Sequence, residues 1–132
     1  YLSGERNSFA GFVSVDEHSK SLTTLPEIFE GNRLDYPNTH FDLEKTKKYS
    51  KISFFLDEAD KLDIPFGELD NASYPFTGRG FTGSKNIVLP EYKLMEERNF
   101  MDGDLITIFE SKSGNPIRQY KYVENKGWKL IK

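Results

Sequence analysis

The stretch LITIFESKSGNPIRQYKYVENKGWKLI, residues 105–131, decides the predicted fold. It holds three runs of strand length that are rich in β-branched and aromatic residues: Leu105 to Glu110, Ile117 to Val123 and Trp128 to Ile131. The segments between these runs, Ser111 to Pro116 and Glu124 to Gly127, carry the Gly, Asn, Ser and Pro residues typical of turns. We therefore predict three consecutive antiparallel strands at the C-terminal end of the chain.

Similar short runs upstream extend the prediction to the rest of the chain. The further predicted strands are Phe9 to Val15, Phe41 to Glu44, Tyr49 to Leu56, Ile64 to Phe66 and Asn86 to Leu89. Two segments that open with Leu-Pro-Glu, Leu25 to Gly31 and Leu89 to about Phe100, favour short helices because Pro is tolerated in a first helical turn. The fold class predicted is mainly β, an antiparallel sandwich or small barrel with two short helices.

Alternation along the predicted strands identifies candidate core residues. Every second residue of a half-buried strand faces the core. The side chains assigned to the core on this basis are Phe54, Leu56, Ile106, Ile108 and Leu130.

Length and composition limit the classes of protein. A chain of 132 residues is the usual size of one domain, so we expect residues 1–132 to form a single β-rich domain. Cysteine is absent, which excludes disulfides and thiolate chemistry and leaves both an exported and a cytoplasmic location open. No apolar run approaches the roughly 20 residues of a membrane helix, so we expect a soluble protein without membrane insertion.

The net charge is −3, but basic residues are concentrated near the C-terminus. An acidic protein is a poor match for general binding to a phosphate backbone. The basic residues between Ser111 and Lys132 are Lys112, Arg118, Lys121, Lys126, Lys129 and Lys132, against the single acidic residue Glu124. This segment keeps a nucleic-acid partner open as an alternative.

Residues 78–83, Gly-Arg-Gly-Phe-Thr-Gly, form a literal G-x-G-x-x-G motif. In a dinucleotide-binding fold this loop follows a strand and opens a helix whose amides hold the pyrophosphate. Here Asn86 to Leu89 follows, which has the composition of a strand. We interpret the motif as a hairpin whose glycines permit positive φ, in a mobile and partly basic loop from Tyr74 to Lys85.

Other residues that could support chemistry show no recognised spacing. Asp57, Glu58, Asp60 and Asp63 lack the order of a calcium loop and favour a solvated acidic turn. His18 and His40, the two histidines, lie in no zinc-binding pattern and are expected at the surface. We therefore predict no catalytic, cofactor-binding or metal-binding residues and expect that the protein is not an enzyme.

A limited resemblance lies in residues 87–108. The order Ile-Val-Leu-Pro, a predicted helix to Phe100, then Asp-Gly-Asp and a strand resembles the unit of swapped-hairpin and related barrel transcription factors. The matching residues are Leu89, Pro90, Gly103 and Asp104. The resemblance implies a barrel of two such units with basic loops on DNA. The two Leu-Pro-Glu segments are compatible with a duplication, although chance similarity is the preferred explanation.

Three functional hypotheses follow. The first is a non-enzymatic binding domain that recognises a protein or glycan partner through aromatic and basic side chains, which are Tyr74, Phe76, Arg79, Phe81, Lys85 and Trp128. The second is a nucleic-acid-binding β-barrel that uses the basic C-terminal strands, with Tyr120, Tyr122 or Trp128 for stacking. The third is a small hydrolase or transferase with loop carboxylates from Asp57, Glu68 or Asp70.

Overall fold

The computed structural model describes residues 1–35, 38–56, 61–64, 80–83 and 86–132, and these are mainly β. Two short helices precede the long strands, α1 (Asp16–Ser19) and α2 (Leu25–Gly31). The strands are β1 (Ser8–Phe9), β2 (Phe12–Val13), β3 (Lys48–Ser53), β4 (Leu62–Asp63), β5 (Phe81–Gly83), β6 (Val88–Pro90), β7 (Tyr92–Leu94), β8 (Arg98–Asn99), β9 (Leu105–Glu110), β10 (Pro116–Val123) and β11 (Gly127–Leu130). The predicted class, mainly β with antiparallel pairing and two short helices, is confirmed, and no sheet closes into a barrel within these residues.

The longest strands form one four-stranded sheet with the order β11-β10-β9-β3. The predicted C-terminal meander is confirmed, and β3 joins β9 from the N-terminal half of the chain. Since residues directly opposite each other share a face, the register separates two sets of side chains. One face, called the lysine face below, carries Lys51, Thr107, Gln119, Lys121 and Lys129. The opposite face, called the aromatic face, carries Ile52, Ile106, Tyr120, Tyr122 and Trp128.

Three shorter ladders complete the described structure. They pair β1 with β8, β2 and β4 with β7, and β5 with β6. Each of these strands has only two or three residues. Side-chain packing, rather than long runs of ladder hydrogen bonds, must therefore hold them in place.

Two hydrophobic clusters pack against opposite faces of the four-stranded sheet. The aliphatic cluster contains Leu22, Leu25, Ile28, Tyr49 and Leu89, and Tyr49 stacks on Phe109 of the lysine face at a ring-centroid distance of 5.2 Å. The aromatic cluster is built on Phe9, Leu94 and Phe100, against which Ile52, Tyr122 and Trp128 pack from the aromatic face. The sheet therefore lies between the two clusters.

Helix α2 confirms the helix predicted at the first Leu-Pro-Glu segment. The Thr24 hydroxyl accepts a hydrogen bond from the Glu27 amide at 3.4 Å and donates one to the Glu27 carboxylate at 2.7 Å. The first of these bonds caps the Glu27 amide, which has no partner inside the helix, and the second holds the hydroxyl in place. The helix buries Leu25 and Ile28 in the aliphatic cluster.

The helix predicted from Leu89 to Phe100 is wrong, because this segment forms β6, β7 and β8. Its backbone groups pair with distant strands, as in the hydrogen bond from the Leu94 amide to the Gly11 carbonyl at 2.9 Å. The resemblance to swapped-hairpin barrels required a helix here and is not supported. A duplication is not supported either, since Pro26 lies in a helix and Pro90 in a strand.

Two further predictions fail for local reasons. Residues 41–44 form a turn instead of a strand, because the Asp42 carboxylate accepts hydrogen bonds from the Glu44 and Lys45 amides. Leu130 is 59% exposed, since it lies at the end of an edge strand. Ile106 is buried as predicted, whereas Phe54, Leu56 and Ile108 are only half-buried.

In the part of the chain described, no helix has the length and apolar character needed to cross a membrane.

Candidate binding surface

The hairpin of β5 and β6 separates buried from exposed side chains by simple alternation. Phe81 lies opposite Pro90, Thr82 opposite Leu89, and Gly83 opposite Val88. Thr82 and Leu89 are each only 2% exposed, and Leu89 belongs to the aliphatic cluster. The inward pair therefore anchors the hairpin, while Phe81 and Val88 point outward.

The outward side of this hairpin displays apolar side chains to solvent. Phe81 is 50% exposed and Val88 is 47% exposed. Ile64, which is 60% exposed, lies near the start of β5, since a Cβ atom at Gly80 would be 3.0 Å from the Ile64 Cγ2 atom. These three residues, Phe81, Val88 and Ile64, are called the hairpin patch below.

Two glycines fix the shape of the hairpin. Gly80 and Gly83 have φ values of +83° and +114°, a region that other residues rarely adopt. A Cβ atom at Gly83 would also lie 1.9 Å from the Ile87 carbonyl oxygen, so no side chain fits there. The conformational interpretation of these two glycines is confirmed. The motif does not open a helix, because β5 pairs directly with β6.

The structure separates the two predicted binding residues that it describes. Phe81 belongs to the hairpin patch. Trp128 belongs to the aromatic cluster, where its ring centroid lies 4.9 Å from that of Phe100 and 5.3 Å from that of Tyr122. The other predicted residues, Tyr74, Phe76, Arg79 and Lys85, lie outside the described residues.

Sequence reasoning missed two members of the hairpin patch. Val88 lies in a run that was predicted as a strand, and its alternation with Leu89 was the signal that one of them faces solvent. Ile64 also follows a short strand, but its proximity to Gly80 depends on packing between distant segments. Such proximity has no local sequence signal.

A largely buried ion pair joins Arg98 to Asp104. Arg98 donates to both carboxylate oxygens of Asp104, at 2.6 and 3.1 Å, and donates to the Phe55 carbonyl at 3.2 Å. The guanidinium carbon lies 4.7 Å from the centroid of the Phe54 ring. The Met101 amide donates to the same carboxylate at 2.9 Å. Both charged groups thus have fixed partners inside the protein, as buried ion pairs require.

A shallow cavity of about 340 Å³ lies on the lysine face of the sheet. Its lining includes Thr107, Phe109, Ile117, Gln119 and Lys132, and no carboxylate side chain contributes to it. General acid–base catalysis requires a titratable group within hydrogen-bond reach of the substrate. This cavity therefore offers no support for the hydrolase hypothesis.

The remaining acidic groups and histidines do not assemble into a site among the residues described. No cluster of three or more His, Asp or Glu side chains there could hold a metal ion. His18, His40 and Asp63 are exposed. The other carboxylates considered in the sequence, Asp57, Glu58, Asp60, Glu68 and Asp70, lie outside the described residues.

In the part of the chain that the structure describes, the shifted pKa values have simple causes. The hydrogen bond from Arg33 lowers the pKa of Asp35, and the backbone amides of Lys45 and Glu44 lower the pKa of Asp42. Burial raises the pKa of Tyr49. Burial also lowers the pKa of Lys51, and Asp16 acts in the opposite direction.

Exposed apolar groups, rather than titratable ones, therefore distinguish the candidate surface.

Comparisons of the chain with protein-family models, with curated proteins and with solved structures gave no match.

Proposed function

We propose that this domain is a non-catalytic binding module that recognises a partner protein through the hairpin patch. The observation that carries the proposal is the pairing of a fixed anchor with an exposed apolar surface. Thr82 and Leu89 are buried, while Phe81 and Val88 of the same two strands are about half exposed. Exposed apolar side chains grouped on one side of an element are typical of interaction sites.

A protein fits this surface better than a glycan does. Two of the three side chains in the hairpin patch, Val88 and Ile64, are aliphatic and offer neither a flat ring nor a hydrogen-bonding group. Burial of apolar area contributes about 25 cal/mol per Å² to the free energy of binding, so an apolar partner surface is favoured. An aromatic side chain such as Phe81 is the type that often dominates the binding energy of a protein interface.

The buried side of the hairpin also lowers the cost of binding. Thr82 and Leu89 are buried inside the domain itself, so the pairing of β5 with β6 does not depend on a partner. A preorganised surface loses less conformational entropy on association than a loop that must first become ordered. The patch therefore has the physical properties of a binding surface rather than those of a catalytic centre.

The test measures affinity and thermal stability together. Partners captured by the wild-type domain and identified by mass spectrometry are titrated against Phe81→Ala and Val88→Ala. We expect about a tenfold or greater loss of affinity for Phe81→Ala, in the range of interface hot spots, with little change in Tm. Arg79→Ala is measured in the same way, because Arg79 is the basic residue that the sequence predicts beside Phe81 in the binding loop.

Met101→Ala is the matched control, because Met101 is an exposed apolar residue before β9 and outside the β5–β6 hairpin. It should leave affinity and Tm unchanged. A Phe81→Ala domain that loses stability but keeps full affinity would show that the hairpin patch is not the recognition surface.

A further inference from the structure

Two lysines lie directly opposite each other on the lysine face of the sheet. Lys121 of β10 pairs with Lys129 of β11, and both side chains are exposed. Their Cβ atoms are therefore about 5 Å apart, a distance at which like charges destabilise the strand pair. Within the described chain, no ion pair joins either lysine to a carboxylate. The free domain thus carries an unfavourable charge pair without internal compensation.

Further cations extend this charge along β11. Lys126 lies in the turn before the strand, and Lys132 follows it with its backbone paired to Gln119. Glu124 and Asp102 are the acidic groups near that turn, and they lie at the opposite end of the strand from Lys132. The central and C-terminal parts of the strand therefore attract anions.

β11 is also an edge strand. It pairs with β10 on one side, and no strand of the described chain lies on its other side. Leu130 and Ile131 are more than half exposed on the two faces of this edge. An open edge offers backbone donors and acceptors to an added strand, and the alternating side chains determine which strand fits.

The charges disfavour a second copy of this chain at the same edge. Antiparallel pairing of two β11 strands would bring Lys129 of each copy towards the lysines of the other, and basic residues at an edge are a known protection against such pairing. A nucleic acid also fits poorly. On the lysine face, the Phe109 ring is stacked on Tyr49 and lies 5.3 Å from the Lys51 Nζ atom, so it is not free to stack on a base.

We propose that an acidic, extended segment of a partner protein adds to the open edge of β11. Its carboxylates lie beside Lys129, within reach of Lys121, and its apolar side chains lie on the opposite face beside Leu130. The preferred segment therefore alternates acidic and apolar residues, because the period of a strand is two. The surface is separate from the hairpin patch, and the proposal does not depend on it.

The test uses a synthetic peptide of alternating valine and glutamate, blocked at both ends and carrying a fluorophore. Binding to the full chain is followed by fluorescence anisotropy at low and at physiological ionic strength. Two matched peptides replace every glutamate by lysine, or the central valine by proline. We expect the acidic peptide to bind, more weakly as salt is added, and both matched peptides to fail.

The variant Lys121→Gln/Lys129→Gln should bind the acidic peptide about two- to fivefold more weakly, from the loss of two exposed charge pairs. Its denaturation midpoint should be equal to or above that of the wild type, because the like-charge pair is gone. The control Lys47→Gln/Lys112→Gln, which removes two exposed lysines elsewhere, should bind normally. Phe81→Ala should also bind normally, which distinguishes this surface from the hairpin patch.

The proposal would be overturned by absence of binding at low ionic strength, by equal binding of the proline peptide, by equal binding by the lysine double variant, or by dimerisation of the free chain through β11. Single-stranded oligothymidylate and unlabelled peptide are compared as competitors in the same assay. If the oligonucleotide displaces the labelled peptide at the lower concentration, the surface binds nucleic acid instead.

Discussion

The two hydrophobic clusters both hold short elements against the four-stranded sheet, but they use different side chains. The aliphatic cluster joins α2 and the β5–β6 hairpin to the sheet through Leu25, Ile28 and Leu89. The aromatic cluster joins β1, β7 and β8 through Phe9, Leu94 and Phe100, and the buried pair of Arg98 and Asp104 lies against it. The buried members of the aliphatic cluster carry no charge. The aromatic cluster also depends on the Asp104 carboxylate, which compensates the charge of Arg98.

This difference has consequences for how each cluster fails. Loss of an aliphatic side chain leaves a cavity, whose cost depends on how far the surroundings relax. Loss of one partner of a buried ion pair leaves an uncompensated charge in a medium of low dielectric constant. The aromatic cluster is therefore the more sensitive of the two to a single polar substitution.

The largest expected effect is that of Asp104→Ala. Arg98 would keep a largely buried guanidinium against the Phe9 and Phe54 rings without its carboxylate. We expect the free energy of unfolding to fall by about 3–5 kcal/mol, measured by urea denaturation. Asp35→Ala is the control, since Arg33 and Asp35 form an exposed pair whose loss should cost about 1 kcal/mol or less. Equal effects of the two substitutions would contradict the structural role of the buried pair.

The aliphatic cluster is tested at two neighbouring positions of one strand. Leu89→Ala should lower the free energy of unfolding by about 2–5 kcal/mol, because Leu89 is buried against α2. Val88→Ala should change it by about 0.5 kcal/mol or less, because Val88 points to solvent. The same denaturation experiment measures both, and a larger effect at Val88 would show that the hairpin is turned the other way.

A second pair of substitutions tests the aromatic face of the sheet. Ile106→Ala should cost about 2–5 kcal/mol, since Ile106 is buried between Ile52 and Tyr120 on adjacent strands. Leu130→Ala, at the edge of the same face, should cost about 0.5 kcal/mol or less. A loss below about 0.5 kcal/mol at Ile106 would mean that the register of β9 is wrong.

The sequence predicted the C-terminal strands well because their signals are local. β9, β10 and β11 follow one another through short turns, so the composition of the turns and the alternation of the strands are enough. The segment from Leu89 to Phe100 failed for the opposite reason. Its start resembles that of α2, but β7 pairs with β2 and β4, which lie far away in the chain.

The candidate surfaces show the same limit. Phe81 was identified from its loop composition, whereas Ile64 joins it only through packing beside Gly80. Alternation placed Leu130 on the same face as Ile106, but it contains no information on which strand ends a sheet. The opposition of Lys121 and Lys129 likewise depends on the register of the last hairpin.

The smallest expected effect concerns a polar group inside the aliphatic side of the molecule. Thr82 is 2% exposed, and its hydroxyl has no hydrogen-bond partner in the described chain. In the aromatic cluster, by contrast, the buried Asp104 carboxylate accepts from both Arg98 and the Met101 amide. Replacement of a buried, unpaired hydroxyl by a methyl group of similar shape removes a desolvation cost of about 1–3 kcal/mol. Thr82→Val should therefore raise the free energy of unfolding, by about 1 kcal/mol after partial relaxation, while Thr82→Ala should lower it by creating a cavity. Urea denaturation of both variants measures the two effects, and a destabilised Thr82→Val domain would show that the hydroxyl is hydrogen-bonded in solution.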